Sequence, residues 1–475
     1  MRRPNVLILH TDQQRWDTIR YGGNEHIHTP NLDALARSGA LFQNCYCNAP
    51  ICMPSRQSMF SGLYPSTLGS TCNGIEMPQD AITIHGVLRP YGYHTASNGK
   101  LHFLNHANRD HREPHPSYGF DQLIVSDDFG CYDDPYLKWV EAVDPSQVAN
   151  CLSTSCPAWT GDMWQIPGRE HSMVKPYVFP APEELSHSTF VAEATIDYIR
   201  RHRDGPFYAI AGFFGPHSPV NPPQRFVDLY DPASLPLPHM NDGENRMGLS
   251  PDDWRRVKAY YYALISHIDD QIGRILAALD EAGVRDDTLI LFTSDHGDHM
   301  GDHGWVEKGT PYDSCNRIPL IASYPGHIPA GRVYDEIVEG VDVAPTILDY
   351  CAVQTPPAMQ GRSLKPLFDG GEYRARTSAY MEVKVPAGHA EIKACPDRAG
   401  GSGGGTWKGV RAPDYSYYVY RDGYEMLFDL RRDPHELANV AEDGAYRDAL
   451  AAMRGELVRR WFEVDSRYPK QTGVY

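Results

Sequence analysis

The stretch Pro50-Ile-Cys-Met-Pro-Ser-Arg-Gln-Ser-Met-Phe-Ser-Gly62 decides how the remainder of the chain is read. It sets Cys52 just before a helix start announced by Pro54 and Ser55, with Arg56 one turn further on. Proline suits the first helical position because its missing N–H would have had no partner there. The other unpaired N–H groups and the helix dipole favour negative charge in front of them. Cys52 therefore faces an anion-friendly end, with Arg56 on a nearby face. A cysteine in such a place is ordinarily a small buried apolar residue, so chemistry at Cys52 requires partners from elsewhere.

Those partners stand at the ends of apolar runs. Residues 6–9 are continuously apolar and then turn polar at His10-Thr-Asp-Gln-Gln14, as a central parallel strand does where it ends. Ligands of open α/β sheets bind beyond the carboxyl ends of strands, where Asp12 and Gln13 stand. Runs at 207–214 and 288–292 lead in the same way into Gly215-Pro-His-Ser-Pro219 and Thr293-Ser-Asp-His-Gly297. His217, held between prolines, suits a positioned general acid. Asp295 and His296 at a turn can converge on one ion. With Asp12 and Gln13 they form an oxygen-rich set with one imidazole, suited to a hard divalent cation more than to structural zinc. A strand at 93–97 leads into Gly99-Lys-Leu-His102, where Lys100 and His102 can point to one side. Singly, each of these is an ordinary turn or solvated residue.

Between the runs lie helices. Residues 29–39 carry a cap at Thr29, a proline in the first turn and a closing Gly39; 184–201 is a second helix. Over 252–283, Val257, Tyr261, Leu264, Ile268, Ile272, Ile275 and Leu279 make a core stripe ended by Gly283. This alternation predicts an α/β fold over 1–370, a large central mostly parallel sheet flanked by helices. Past Gly370-Gly371 the pattern shortens to strands at 378–385, 415–420 and 425–430 and a helix at 446–462. It predicts a smaller C-terminal α+β subdomain over 371–475, a short antiparallel sheet plus a helix. Residues 105–182 lack periodicity and read as long loops over a site, and 399–405 as a flexible glycine-rich loop.

Composition narrows the function. The 475 residues are 41% hydrophobic and 22% charged, an ordinary globular balance. A formal charge of −17 excludes nucleic acid as the main partner, which needs a basic face. No stretch has the length of a membrane span, and the opening apolar run is too short for a signal peptide, so a cytoplasmic protein is expected. Ten cysteines without paired C-x-x-C spacing read as free structural thiols, Cys52 excepted.

The Cys52 segment resembles the sulfatase signature C-x-P-S-R-x-x-x-x-T-G, with Phe60 where leucine is common and Ser61 for threonine. Other segments resemble the same family in the family's order. They are Thr29-Pro-Asn-Leu-Asp-Ala-Leu-Ala36, Gly99-Lys-Leu-His102, Pro216-His-Ser-Pro219, Ser294-Asp-His-Gly297 with Gly301-Asp-His-Gly304 and Lys308, Val341-Asp-Val-Ala-Pro-Thr-Ile-Leu348, and Leu427-Phe-Asp-Leu430 through Asp433-Pro-His-Glu-Leu437. The resemblance runs from residue 5 to about residue 440.

The resemblance implies a sulfuric ester hydrolase of the alkaline phosphatase superfamily. Cys52 would be oxidised by a maturation enzyme to formylglycine, whose hydrate is the nucleophile. One divalent metal, calcium with manganese as the alternative that His296 raises, would be held by Asp12, Gln13, residue 52, Asp295 and His296. Arg56, Lys100 and Lys308 would stabilise anionic oxygens, and His217 or His102 would protonate the leaving alcohol. Phosphonate monoester or phosphodiester hydrolysis is the alternative within the superfamily, disfavoured by Gly99-Lys-Leu-His102, where those relatives carry a hydroxyl-rich segment. An unmodified, non-catalytic binding protein is the alternative of another class. The sulfated substrate, whether saccharide or small molecule, and the oligomeric state stay open.

Overall fold

The first apolar run becomes β1 (Asn5–Asp12), buried along its whole length because sheet neighbours flank it on both sides. The computed structural model describes residues 3–105, 115–127, 134–152, 172–385 and 405–465. The further strands of the large sheet are β2 (Ala40–Tyr46), β3 (His94–Gly99), β4 (Gln122–Val125), β5 (Phe207–Pro216), β6 (Thr288–Ser294), β7 (Arg317–Ser323), β8 (Arg332–Tyr334) and β9 (Val338–Glu339). Their order is β4-β3-β5-β1-β6-β7-β2-β8, with β9 beside β2. From β4 to β6 every pairing is parallel; β7 runs against both β6 and β2. The sheet is thus mostly parallel and mixed at one side.

Side-chain alternation in β1 divides the core. Leu7 and Leu9 face a cluster with Ile196 and Ile199 of helix His187–His202, Leu35 of helix Pro30–Arg37, and Ile268, Ile272 and Leu279 of helix Pro251–Glu281. Val6 and Ile8 face the other way, toward Met59 and Phe60 of helix Cys52–Ser61 and Ile347 and Leu348 of helix Val343–Tyr350. Two helical layers therefore cover the sheet, as the period-two pattern of strand residues requires. The long helix starts in a capping box of Ser250 and Asp253. Helix Pro30–Arg37 is capped from a distance: the Asp269 carboxylate accepts from Leu32 N at 2.7 Å and Asn31 N at 3.1 Å. Thr29, the expected local cap, makes no such bond, its hydroxyl accepting from Arg20 N and donating to Asp33 instead.

Strand β7 escapes the sequence reading because Pro319 sits inside it. The proline lies between the pairs Ile318↔Cys45 and Leu320↔Phe42, where the β2–β7 register shifts. An irregularity in the ladder is where a residue without an N–H is accommodated.

The second sheet is antiparallel in the order β10 (Ala379–Val383), β11 (Trp407–Arg411), β12 (Tyr415–Tyr420), β13 (Glu425–Asp429), and helix Arg447–Asp465 packs on it. β11, with Lys408, Gly409 and Arg411, carried no strand pattern of its own. Residues 106–114, 128–133 and 153–171, nearly all of the glycine-rich 399–405 and the tail after 467 lie outside the described residues; the described part of 105–182, expected as long loops, holds β4 and helix Pro135–Val143. Among the described residues no helix is long and apolar enough to cross a membrane, and the described cysteines are buried.

A buried ionic junction joins the sheets. Arg376 forks onto Asp342 at 2.5 and 2.6 Å and reaches Glu339 at 3.1 Å. Arg460, from the last helix, meets Glu339 at 2.7 Å and the Tyr64 hydroxyl at 2.9 Å. Burial pushes the Glu339 carboxyl up, but Arg376 and Arg460 outweigh it and hold it below its ordinary value. Such a carboxylate adds stability above its unfolded pKa of 4.5, which is lost as pH falls through the lower folded value. Glu339→Ala should cost about 3–5 kcal/mol in urea unfolding at neutral pH. Glu339→Gln should also flatten the loss of stability on acidification below that value; a wild-type-like acid profile in Glu339→Gln would show that the junction does not supply it.

Candidate active site

The Cys52 helix begins earlier than the proline suggests. Cys52 is its first residue, Ile51 is the extended N-cap, and Ser55 N closes the first turn on Ile51 O at 3.1 Å. Pro54 is tolerated two positions later than predicted, because an N–H within the first turn has no helical partner to lose. All residues of this helix are buried, and Asn73 caps it from outside, accepting from Met53 N at 3.0 Å. Arg56, fully buried, points from it at the strand ends. Its Nε donates to Asp295 Oδ2 at 2.7 Å, Nη2 to Asp12 Oδ2 at 3.0 Å and Nη1 to Lys100 O at 3.1 Å.

The adjacency of β1 and β6 places Asp12 beside the Asp295–His296 turn. Ligand atoms of Asp12, Cys52, Asp295 and His296 all lie within 4.8 Å of one another, every residue buried. The Cys52 sulfur is 3.2 Å from His296 Nε2 and 4.0 Å from Asp12 Oδ1. His296 Nδ1 lies 2.9 Å from Gly297 O, a contact that assigns the proton to Nδ1 and leaves Nε2 free to ligate. Gly297 is needed for the turn, since a Cβ there would stand 2.1 Å from Ser314 O. Lys100 Nζ reaches Asp12 Oδ2 at 2.9 Å and lies over the Phe214 ring at 4.4 Å.

The remaining expected residues frame this centre. Lys308 Nζ donates to Gln13 Oε1 at 2.5 Å. Gln13, expected as a donor to the metal, has its amide N on Asp298 Oδ2 at 2.5 Å and its main-chain N–H on Asp295 Oδ1 at 3.0 Å. His217 is half-buried at the rim, its ring 5.0 Å from that of Phe214 and its Nδ1 2.7 Å from Ser218 O. His102 follows Lys100 through a turn at φ 56°, where Asp127 Oδ1 accepts from Leu101 N at 2.7 Å and His102 N at 2.8 Å. Asn73, Asp127 and Asp298 were not anticipated; single polar residues in loops carry no pattern that marks them.

The electrostatics fit an anion-handling centre. Burial alone would push the Asp12 carboxyl up, but Lys100, His217, Arg56 and Lys308 hold it well below its usual range. Burial and Asp12 push the Cys52 thiol up, yet Lys308 and His296 leave it below its ordinary value. Burial opposes the charge on Lys308, and Cys52 and Asp12 more than restore it. The donor set also fits a divalent ion. Ligands about 2.4 Å from one cation can be at most about 4.8 Å apart, the spread observed here, and two carboxylates with one imidazole are hard donors.

A family model described as Sulfatase matches residues 4–353. The chain belongs to the sulfatase family. The C-terminal model of N-sulphoglucosamine sulphohydrolase matches residues 301–461 of this sulfatase. An arylsulfatase of Clostridium perfringens is 30% identical, covering 96% of this chain and 94% of its own. A choline-sulfatase of Rhizobium meliloti is 29% identical, covering 97% and 90%. Among solved structures, the phosphonate monoester hydrolase of Agrobacterium radiobacter superposes with a TM-score of 0.82 at 25% identity, covering 97% of this chain and 96% of its own. The family is that of sulfatases within the alkaline phosphatase superfamily, and the chain is an enzyme of it.

Arg56 is the counter-charge that lets two buried carboxylates face one site. Arg56→Leu in metal-free protein should lower stability by about 3–5 kcal/mol in urea unfolding, with part recovered on adding a divalent cation. Equal unfolding midpoints for variant and wild type would remove the bridge from this account.

Proposed function

We propose that this sulfatase hydrolyses a small sulfate monoester, using formylglycine made from Cys52 and one divalent metal. The observation that carries the reading is the convergence of Asp12, Asp295 and His296 on residue 52 inside a C-x-P-S-R helix start. Asp12, Gln13, Asp295, His296 and residue 52 would hold the metal, calcium first and manganese second. The metal and the hydrated aldehyde together supply charge neutralisation and an oxygen nucleophile of lowered pKa.

This chain's own residues do the rest. Arg56 fixes the two carboxylates and, with Lys100 and Lys308, surrounds the site with positive charge placed before reaction, where it stabilises developing anionic oxygens most. Asp12 and Phe214 hold the Lys100 ammonium in one place. His217, its Nδ1 on Ser218 O, keeps Nε2 to hold a proton and pass it to the leaving alcohol at the rim. His102 is the second candidate for that proton. The names of the arylsulfatase and choline-sulfatase relatives support an aryl or alkyl monoester as substrate.

A second reading, phosphonate monoester hydrolysis, is favoured by one observation: two phosphonate monoester hydrolases superpose with TM-scores of 0.82 and 0.80. Lys100 and His102 support the sulfate reading. The chain is to be co-expressed with a formylglycine-generating enzyme, and the peptide spanning Arg56 weighed by mass spectrometry. Position 52 should carry the mass of 3-oxoalanine, and an aryl sulfate should be cleaved faster than the matching aryl phosphonate. Cys52→Ala should lose roughly 10³-fold or more in kcat/KM, and chelation should abolish turnover reversibly. A faster phosphonate would establish the second reading, and an intact thiol with no turnover would end both.

A further inference from the structure

We propose that Asp127 is a positioning residue for His102, holding it through the main chain; this rests on the reading of His102 as a contact of the sulfate ester. Strand β3 ends at Gly99, and the N–H groups beyond the ladder need other acceptors. Those of Leu101 and His102 both turn to Asp127 Oδ1, at 2.7 and 2.8 Å. Two successive N–H groups converging on one oxygen, the second from a residue at φ 56°, form a concave anion nest. Asp127 supplies the anion from within the chain.

The sheet delivers the carboxylate to this place. β4 pairs with β3 through Gly99↔Val125, and Ser126 N continues the ladder to Gly99 O at 3.1 Å. Asp127, the next residue, therefore stands level with the turn as the chain leaves β3, and it is buried. Lys100 is anchored independently, its N–H on Gly212 O at 2.7 Å and its carbonyl on Arg56 Nη1 at 3.1 Å. Leu101 and Phe103, on either side of the histidine, are committed to the core. His102 is thus the side chain this turn aims. A non-glycine residue in the left-handed region is strained and persists where its surroundings fix it; here Asp127 holds both N–H groups that define the turn. Neither Asp127 nor the turn it holds includes a candidate metal ligand.

The grip asks for an accepting oxygen at a set place, charged or neutral. Asp127→Asn keeps such an oxygen, and Asp127→Ala removes it. The probe is inorganic sulfate, titrated calorimetrically into the matured, metal-loaded protein, with kcat and KM for an aryl sulfate measured in parallel. His102→Ala sets the reference loss. Asp127→Ala should weaken sulfate binding roughly tenfold and lower kcat more than it raises KM. Asp127→Asn should stay within about threefold of wild type. Because Asp127 acts through His102, adding Asp127→Ala to His102→Ala should change sulfate binding by less than about threefold. Should Asp127→Ala not fold, Asp127→Ser, whose oxygen falls short of the two N–H groups, takes its place with the same expectations.

Wild-type sulfate binding by Asp127→Ala would overturn the proposal. So would an Asp127→Asn as impaired as Asp127→Ala, or a double variant in which the two losses multiply, since a residue that acts only on the stability of the fold gives that result. Sulfate binding reads the turn whether or not any ester is cleaved. A matured wild type that binds sulfate but hydrolyses no sulfate ester therefore retires the proposed function alone. Wild-type sulfate binding by His102→Ala would remove the reading of His102, and the role of Asp127 with it.

Discussion

A guanidinium buried between two carboxylates stands at the centre of this molecule. Arg56 touches Asp12 at the end of β1, Asp295 just past the end of β6 and the main chain of Lys100 just past β3. Three strand ends and the Cys52 helix are thereby referred to one planar group. Like charges this close and this dry would repel strongly without it. The bridge fixes direction as well as charge. Each carboxylate keeps one oxygen on Arg56 and has the other, Oδ1, within 4.0 Å of the Cys52 sulfur or of His296.

The sheet explains why such a group can be assembled at all. Parallel neighbours β3, β5, β1 and β6 end on the same side, so residues distant in sequence emerge as a row of loops. His102, His217, Asp12 and Asp295 come from loops of that row. Between them the helix with Cys52 lies on one face of the sheet, its N-terminus directed at the row. Phe60 and Met59 set its depth in the core, and Asn73 and Ser55 tie its first turn, Ser55 donating to Asp295 O at 2.5 Å.

Much of this was legible in the sequence, for a physical reason. Buried parallel strands must be apolar throughout and must end in polar turns, so the exits at Asp12, His217 and Asp295 announced themselves. The long amphipathic helix did so too, through its stripe from Val257 to Leu279. What stayed hidden were features decided by distant partners. Asp269 caps a helix that lies 238 positions away at Asn31, and Pro319 sits in a strand because β2 shifts register opposite it. Asp298 takes the Gln13 amide N–H, and no local pattern singles it out. The helix start also moved: Pro54 read as the first position, whereas Cys52 occupies it.

The ionic junction around Glu339 bears on the order of events during synthesis. Tyr64, shortly after the Cys52 helix, receives Arg460 from 396 positions later in the chain. Ser378 and Glu339 meet the same arginine. The segment that follows Cys52 therefore cannot reach its final packing until the chain has been synthesised past Arg460. Cys52 itself is 2% exposed once that packing is complete. The oxidation proposed for this thiol would meet an accessible sulfur on a chain that has not yet completed this packing.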